Sequence, residues 1–176
     1  MIYEFDSKRP RIHSSAYISD SATIIGDVQI GARCYVGPGA VIRGDEKPIV
    51  IGDETAVEDC AVIHVGGSGS SGCYIGKRVT IGHGAIVHGA TVGDRVIVGM
   101  GAIVLDGAKI GDDCIIAAGA VVTGKMDAPA GSLLVGSPAV VAKPLNDKQK
   151  ASCLENSELY YRKSVEYRAF LAQQGK

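Results

Sequence analysis

Histidine is scarce in this sequence, and three of its four copies, His64, His83 and His88, fall inside one 25-residue window. Neutral imidazoles are ligands for divalent transition metals, with metal–nitrogen bonds of about 2.0–2.1 Å to zinc. Three imidazoles plus a water form an open site of the kind used in catalysis. The ion lowers the pKa of that water toward about 7, giving a nucleophile at neutral pH. Zinc is the default occupant, and iron(II) or cobalt(II) suits the same nitrogens. A lone outward histidine is usually only a surface residue, so the metal reading depends on whether the fold gathers the three. His13 lies outside the cluster and is read as structural.

The elements that must do the gathering come from a repeat. Branched aliphatics recur every six residues at Ile12, Ile18, Ile24, Ile30, Val36 and Ile42, then at Ile51, Val57 and Ile63, then at Ile75, Ile81 and Val87. They resume at Val92, Val98, Val104, Ile110, Ile116 and Val122. Gly often follows the aliphatic, and the fourth residue after it is small or β-branched, as at Ala40, Ala61, Ala85 and Ala102. Cys34 and Cys114 share that small slot and are read as packing residues. Short strands carrying an inward aliphatic, separated by tight turns, produce this pattern. Three hexads close one triangular coil, and coils stack at about 4.8 Å, the ordinary strand spacing. The composition agrees: 24 Gly, 2 Phe and no Trp beside 46% hydrophobic residues suit a core of stacked aliphatics. The expected fold is an all-β solenoid, a parallel β-helix of about seven coils between Ile12 and Val135.

Two breaks in the repeat set the register. The step from Ile42 to Ile51 is nine residues, and that from Ile63 to Ile75 is twelve, through Gly66-Gly-Ser-Gly-Ser-Ser-Gly72. With those insertions looped out, Ile42 sits under Ile63 and Ile63 under Val87. Arg43, His64 and His88 each follow one of these aliphatics, so all three point outward from one face on consecutive coils. The same alignment puts Val57 under Ile81 and stacks Asp59 with His83 on the adjacent face. His64 and His88 are then near enough to share an ion, whereas His83 reaches it only from a neighbouring chain, as in a trimer packed face to edge. Asp59 is expected to accept a hydrogen bond from His83 or a group beside it.

Residues 1–145 are therefore assigned to the β-helix with the metal site and 146–176 to a C-terminal amphipathic helix. Asn146 reads as its N-cap, with Gln149 in the capping-box position just after Pro144. Leu154, Tyr161, Val165 and Ala169 or Ala172 recur at helical spacing from about 147 to 173. Such a helix packs along the coil or on a neighbouring subunit.

A net charge of −1 supplies no basic field for nucleic acid or an anionic membrane. The first eleven residues carry charges and no apolar run, and no stretch approaches the roughly 20 apolar residues of a membrane span. The five cysteines form no CxxC pair, and Cys60, Cys73 and Cys153 carry no partner pattern. A reducing cytoplasm is the expected location.

Arg43-Gly-Asp-Glu46, Glu58-Asp59 followed by Val62-Ile-His64, and Ile81-Gly-His83-Gly-Ala-Ile-Val-His88-Gly-Ala90 together resemble the gamma-class carbonic anhydrase family. The likeness extends over nearly the whole chain, including Val135-Gly-Ser-Pro-Ala139. It implies a left-handed β-helix of hexapeptide repeats, although the usual crossover rule alone predicts the right hand. It implies a homotrimer with a metal at each subunit interface, His64 and His88 from one subunit and His83 from the next. The implied reaction is reversible hydration of carbon dioxide to bicarbonate by a metal-bound hydroxide. By the same resemblance Arg43 and Asp45 form an intersubunit ion pair, and Glu46 lies near the metal-bound solvent. Tyr160 aligns with a tyrosine brought from the C-terminal helix. Two positions depart from the family: Glu58 stands where Gln is common, and the 66–72 loop is Gly and Ser rather than longer and acidic.

Two other classes compete. Many hexapeptide-repeat proteins are acyltransferases using coenzyme A, which need one histidine base and a pantetheine groove but no metal trio. A trimeric scaffold that keeps its metal without strong activity is the other.

Overall fold

The computed structural model describes residues 1–67 and 72–173, the side chain of Ala172 excepted. Residues 68–71 of the Gly/Ser insertion, and the Ala172 position of the helical stripe, lie outside the described residues. The chain folds as a left-handed parallel β-helix of about 7 turns with one C-terminal helix. Its strands form a 12-stranded and an 8-stranded sheet. The larger sheet continues around two faces of the triangle, because Val41–Ile51 pairs with Val62–His64 at one end and Cys73–Ile75 at the other.

The register follows the aliphatic repeat. Ile42, Ile63, Val87, Val104 and Val122 form one ladder, and Val36, Val57, Ile81, Val98 and Ile116 form another. All ten are fully buried. Branched aliphatics of similar shape stacked on one axis fill the interior without aromatics, and each contributes roughly 1.5–3 kcal/mol of apolar burial. The parallel stack ends with Ser132–Gly136, which turns back to pair antiparallel with Ala139–Pro144.

One corner carries a charged residue in left-handed backbone conformation on five successive coils: Arg33, Glu54, Arg78, Arg95 and Asp113, with φ of 57, 60, 56, 56 and 55°. Three of the four neighbouring pairs in this column bond, all but Arg78 with Arg95. Glu54 accepts from both Arg33 and Arg78, and Arg95 donates to Asp113 at 2.6 Å. Burial raises the Glu54 pKa, but the two arginine hydrogen bonds outweigh it and hold the carboxyl below its usual range. The hydrogen bond from Arg95 does the same for Asp113. A depressed folded-state pKa stabilises above the unfolded value and loses that contribution as pH falls through the folded one. The melting temperature is therefore expected to drop below about pH 4, near the ordinary carboxylate range. Calorimetry on Arg95→Met should show a shallower drop, because Asp113 then titrates alike in both states.

The helix spans Asp147–Gln173. Its start is a reciprocal cap: the Gln149 N–H donates to Asn146 Oδ1 at 2.9 Å, and the Asn146 N–H donates to Gln149 Oε1 at 3.1 Å. It runs back along its own coil, across Thr80–Ile81, Ala56–Val57, Tyr35–Val36 and Tyr17–Ile18. Arg168 ends the crossing by donating to the carbonyls of Ser14 and Ala16. The buried helix face corrects the expected stripe. Cys153, Ser157 and Ser164 are buried, whereas Tyr161 and Val165 are exposed. Small side chains let the helix approach a flat strand face on which Tyr17 and Tyr35 already stand. Among the described residues no helix is long and apolar enough to cross a membrane.

Candidate metal centre

Val41–Ile51, Val62–His64 and Ile86–His88 lie side by side, in a register that pairs Arg43 with His64 and His64 with His88. Gly44 allows the first strand to come close: a Cβ there would lie 2.5 Å from the Asp27 carbonyl oxygen. Arg43 and Asp45, on either side of Gly44, project together, and Arg43 donates to Asp45 of its own chain. Burial raises the Asp45 pKa, but hydrogen bonds from Arg43 and His64 outweigh it and leave the carboxyl below its usual range.

Stacking brings His64 Nδ1 within 2.9 Å of His88 Nε2. Each ring meets a carboxylate through its other nitrogen. His64 Nε2 lies 3.0 Å from Asp45 Oδ1, and His88 Nδ1 lies 2.6 Å from Asp106 Oδ2. This is the arrangement of a metal-binding imidazole, one nitrogen toward the shared space and the other held by an acceptor. Asp106 was not found by sequence reasoning. The usable signal was its place one coil beyond His88, at the start of the next turn.

His83 stands on the adjacent corner. Its ring lies between two carboxylates, with Nε2 3.1 Å from Glu58 Oε2 and Nδ1 3.6 Å from Asp59 Oδ2. Glu58 is buried, at 4% exposure, and also accepts the His83 backbone N–H at 3.0 Å. Tyr160 descends from the helix, rests against Tyr35 and brings its hydroxyl toward the Glu58 carboxylate. Burial, then that carboxylate, pushes its phenol above the ordinary tyrosine range. Glu46 accepts the Gly67 N–H at 2.9 Å, so it holds the beginning of the Gly/Ser insertion.

One chain thus brings together Arg43, Asp45, His64, His88 and Asp106 on a face, and Glu58, Asp59, His83 and Tyr160 on the next corner. Among the described residues no three His, Cys, Asp or Glu side chains of one chain are placed to hold an ion. The donor chemistry fits a metal as half a site, with two imidazoles on one surface and the third on another. The cysteines do not compete. Burial pushes the thiols of Cys34, Cys73 and Cys153 up to about 12, 11 and 11, while Cys60 is exposed on the corner beside Asp59.

The family of bacterial transferase hexapeptides (six repeats) matches residues 9–44 and 89–124. Gamma carbonic anhydrase 1, mitochondrial, of Arabidopsis thaliana is 37% identical over 157 residues, covering 87% of this chain and 57% of that protein. Protein YrdA of Escherichia coli K12 is 41% identical over 163 residues, covering 90% of this chain and 89% of that one. The chain belongs to the gamma carbonic anhydrase family of hexapeptide-repeat proteins. This family member spans under three fifths of the length of its plant mitochondrial relatives, at 57% and 56%. In three dimensions it is similar to a hexapeptide transferase family protein from Anaplasma phagocytophilum. The TM-score is 0.90 at 34% identity, over 95% of this chain and 98% of that one.

Proposed function

We propose that this gamma carbonic anhydrase family member hydrates carbon dioxide reversibly to bicarbonate, at a metal centre completed between the subunits of a homotrimer. The imidazole pair carries the reading: two ring nitrogens 2.9 Å apart, each ring held from behind by a carboxylate. His64 and His88 supply two ligands, and His83, exposed on its corner, supplies the third to the next subunit. A face meeting a corner is a head-to-tail contact, which closes by forming a ring. Val62, Ile86 and Ile103, half-buried beside the imidazoles, and the exposed Met100 give that contact an apolar seat. Arg43 and Asp45 lie on the same face, paired within one chain rather than between subunits.

Zinc, or iron(II) or cobalt(II), would supply the Lewis acidity that makes water a nucleophile near neutral pH. The chain's own residues do the rest. Asp45 holds the His64 ring, and Glu58 holds His83 through Nε2, leaving Nδ1, 3.6 Å from Asp59 and not hydrogen-bonded to it, for the ion. Tyr160 brings a hydroxyl to the rim beside Glu58. Glu46, beside the insertion, accepts a proton as water is consumed and passes it to solvent. The five free cysteines fit a reducing, cytoplasmic setting.

Metal analysis of the purified protein should find about one ion per chain, as three-imidazole sites require. Stopped-flow hydration of carbon dioxide, with zinc and then with iron loaded anaerobically, should exceed the metal-free rate. Turnover of acetyl coenzyme A by protein without metal would displace this reading in favour of the transfer chemistry in the family description.

A further inference from the structure

We propose that Asp106 is a positioning residue for the metal centre, fixing which nitrogen of His88 is offered to the ion. This inference rests on the metal reading above. Asp106 Oδ2 lies 2.6 Å from His88 Nδ1, a charge-assisted distance. A carboxylate there keeps the ring proton on Nδ1 and leaves the Nε2 lone pair directed at the space shared with His64. The backbone locks the pair: the Gly107 N–H donates to the Gly89 carbonyl at 2.9 Å, joining the residues just after Asp106 and His88.

Two further observations separate this role from ordinary surface pairing. Among the described residues, His88 is the only ionic partner of Asp106, whereas Asp45 divides its carboxylate between Arg43 and His64. The second oxygen of Asp106, Oδ1, is buried with no hydrogen-bond partner among the described residues. No other side chain among the described residues therefore competes with His88 for this carboxylate.

The test compares wild type, Asp106→Asn and Asp106→Ala. Nitrogen-15 spectra of the metal-free wild type should show His88 protonated on Nδ1, and Asp106→Ala should move that proton toward Nε2. Zinc affinity by calorimetry should fall about 10–100-fold in Asp106→Ala, the usual cost of losing the group behind a metal-bound histidine. Asp106→Asn, whose amide oxygen still accepts from Nδ1, should lose less. The metal-free melting temperature should fall by no more than about 4 °C in either variant, the shift one lost hydrogen bond causes at this chain length, whereas a purely structural role would move it further and leave zinc affinity unchanged. If wild type binds zinc and Asp106→Ala binds it equally well, this proposal fails alone. Failure of wild type to bind zinc at all would overturn the metal reading and this proposal together.

Discussion

His64→Ala is expected to abolish metal binding and carbon dioxide hydration together while leaving the solenoid folded. The side chain points outward from the coil, on the strand Val62–His64, and its neighbour Ile63 carries the packing. Removing the imidazole leaves no cavity in the stacked core, so stability should fall by only about 1 kcal/mol, the central value for point substitutions. Metal binding has no such reserve. Loss of a group behind a ligand already costs about 10–100-fold in affinity, so loss of the ligand itself should cost more than about 100-fold. Metal content per chain, hydration rate and the far-ultraviolet dichroism spectrum check the three parts. An active, metal-loaded His64→Ala protein would remove the imidazole pair from the mechanism.

The second large effect is a recovery. His64→Ala and His83→Ala should each be inactive alone, yet trimers assembled from both at equal concentration should regain about a quarter of wild-type activity and metal. The reason is geometric. Each junction takes His64 and His88 from one subunit and His83 from the next, so every mixed ring contains one junction with all three intact. A site contained in a single chain would recover nothing, and a site with all ligands from equivalent surfaces would give another fraction. Coexpression, followed by metal analysis and a hydration assay, reads the outcome directly.

Much of this architecture was legible because stacking repeats a physical demand. Every rung of the core needs an aliphatic in the same place, so Ile42, Ile63 and Val87 could be aligned from spacing alone, and the pairs follow that register. The nine- and twelve-residue steps were legible as insertions, since a solenoid tolerates extra residues only at its turns. The helix start was written in Asn146 and Gln149, whose side chains cap each other's backbone. The buried face of the helix was not legible. Apolar periodicity pointed to Leu154, Tyr161 and Val165, while close approach to a flat surface selected Cys153, Ser157 and Ser164. Asp106 was missed for a different reason. A turn aspartate in a loop-rich chain looks solvated, and its partner His88 lies 18 residues away, near only because one coil intervenes.

The returning helix has a thermodynamic consequence. A bare stack of coils touches only nearest neighbours, so it can peel from either end one rung at a time. Here Lys150 packs beside Gly131 on the last coil, and Arg168 clasps the carbonyls of Ser14 and Ala16 on the first. A single rigid brace joins the two ends, so neither can unzip without releasing the other. Melting is therefore expected as one concerted calorimetric transition instead of gradual fraying, with the imidazole face kept from partial opening until the whole stack gives way.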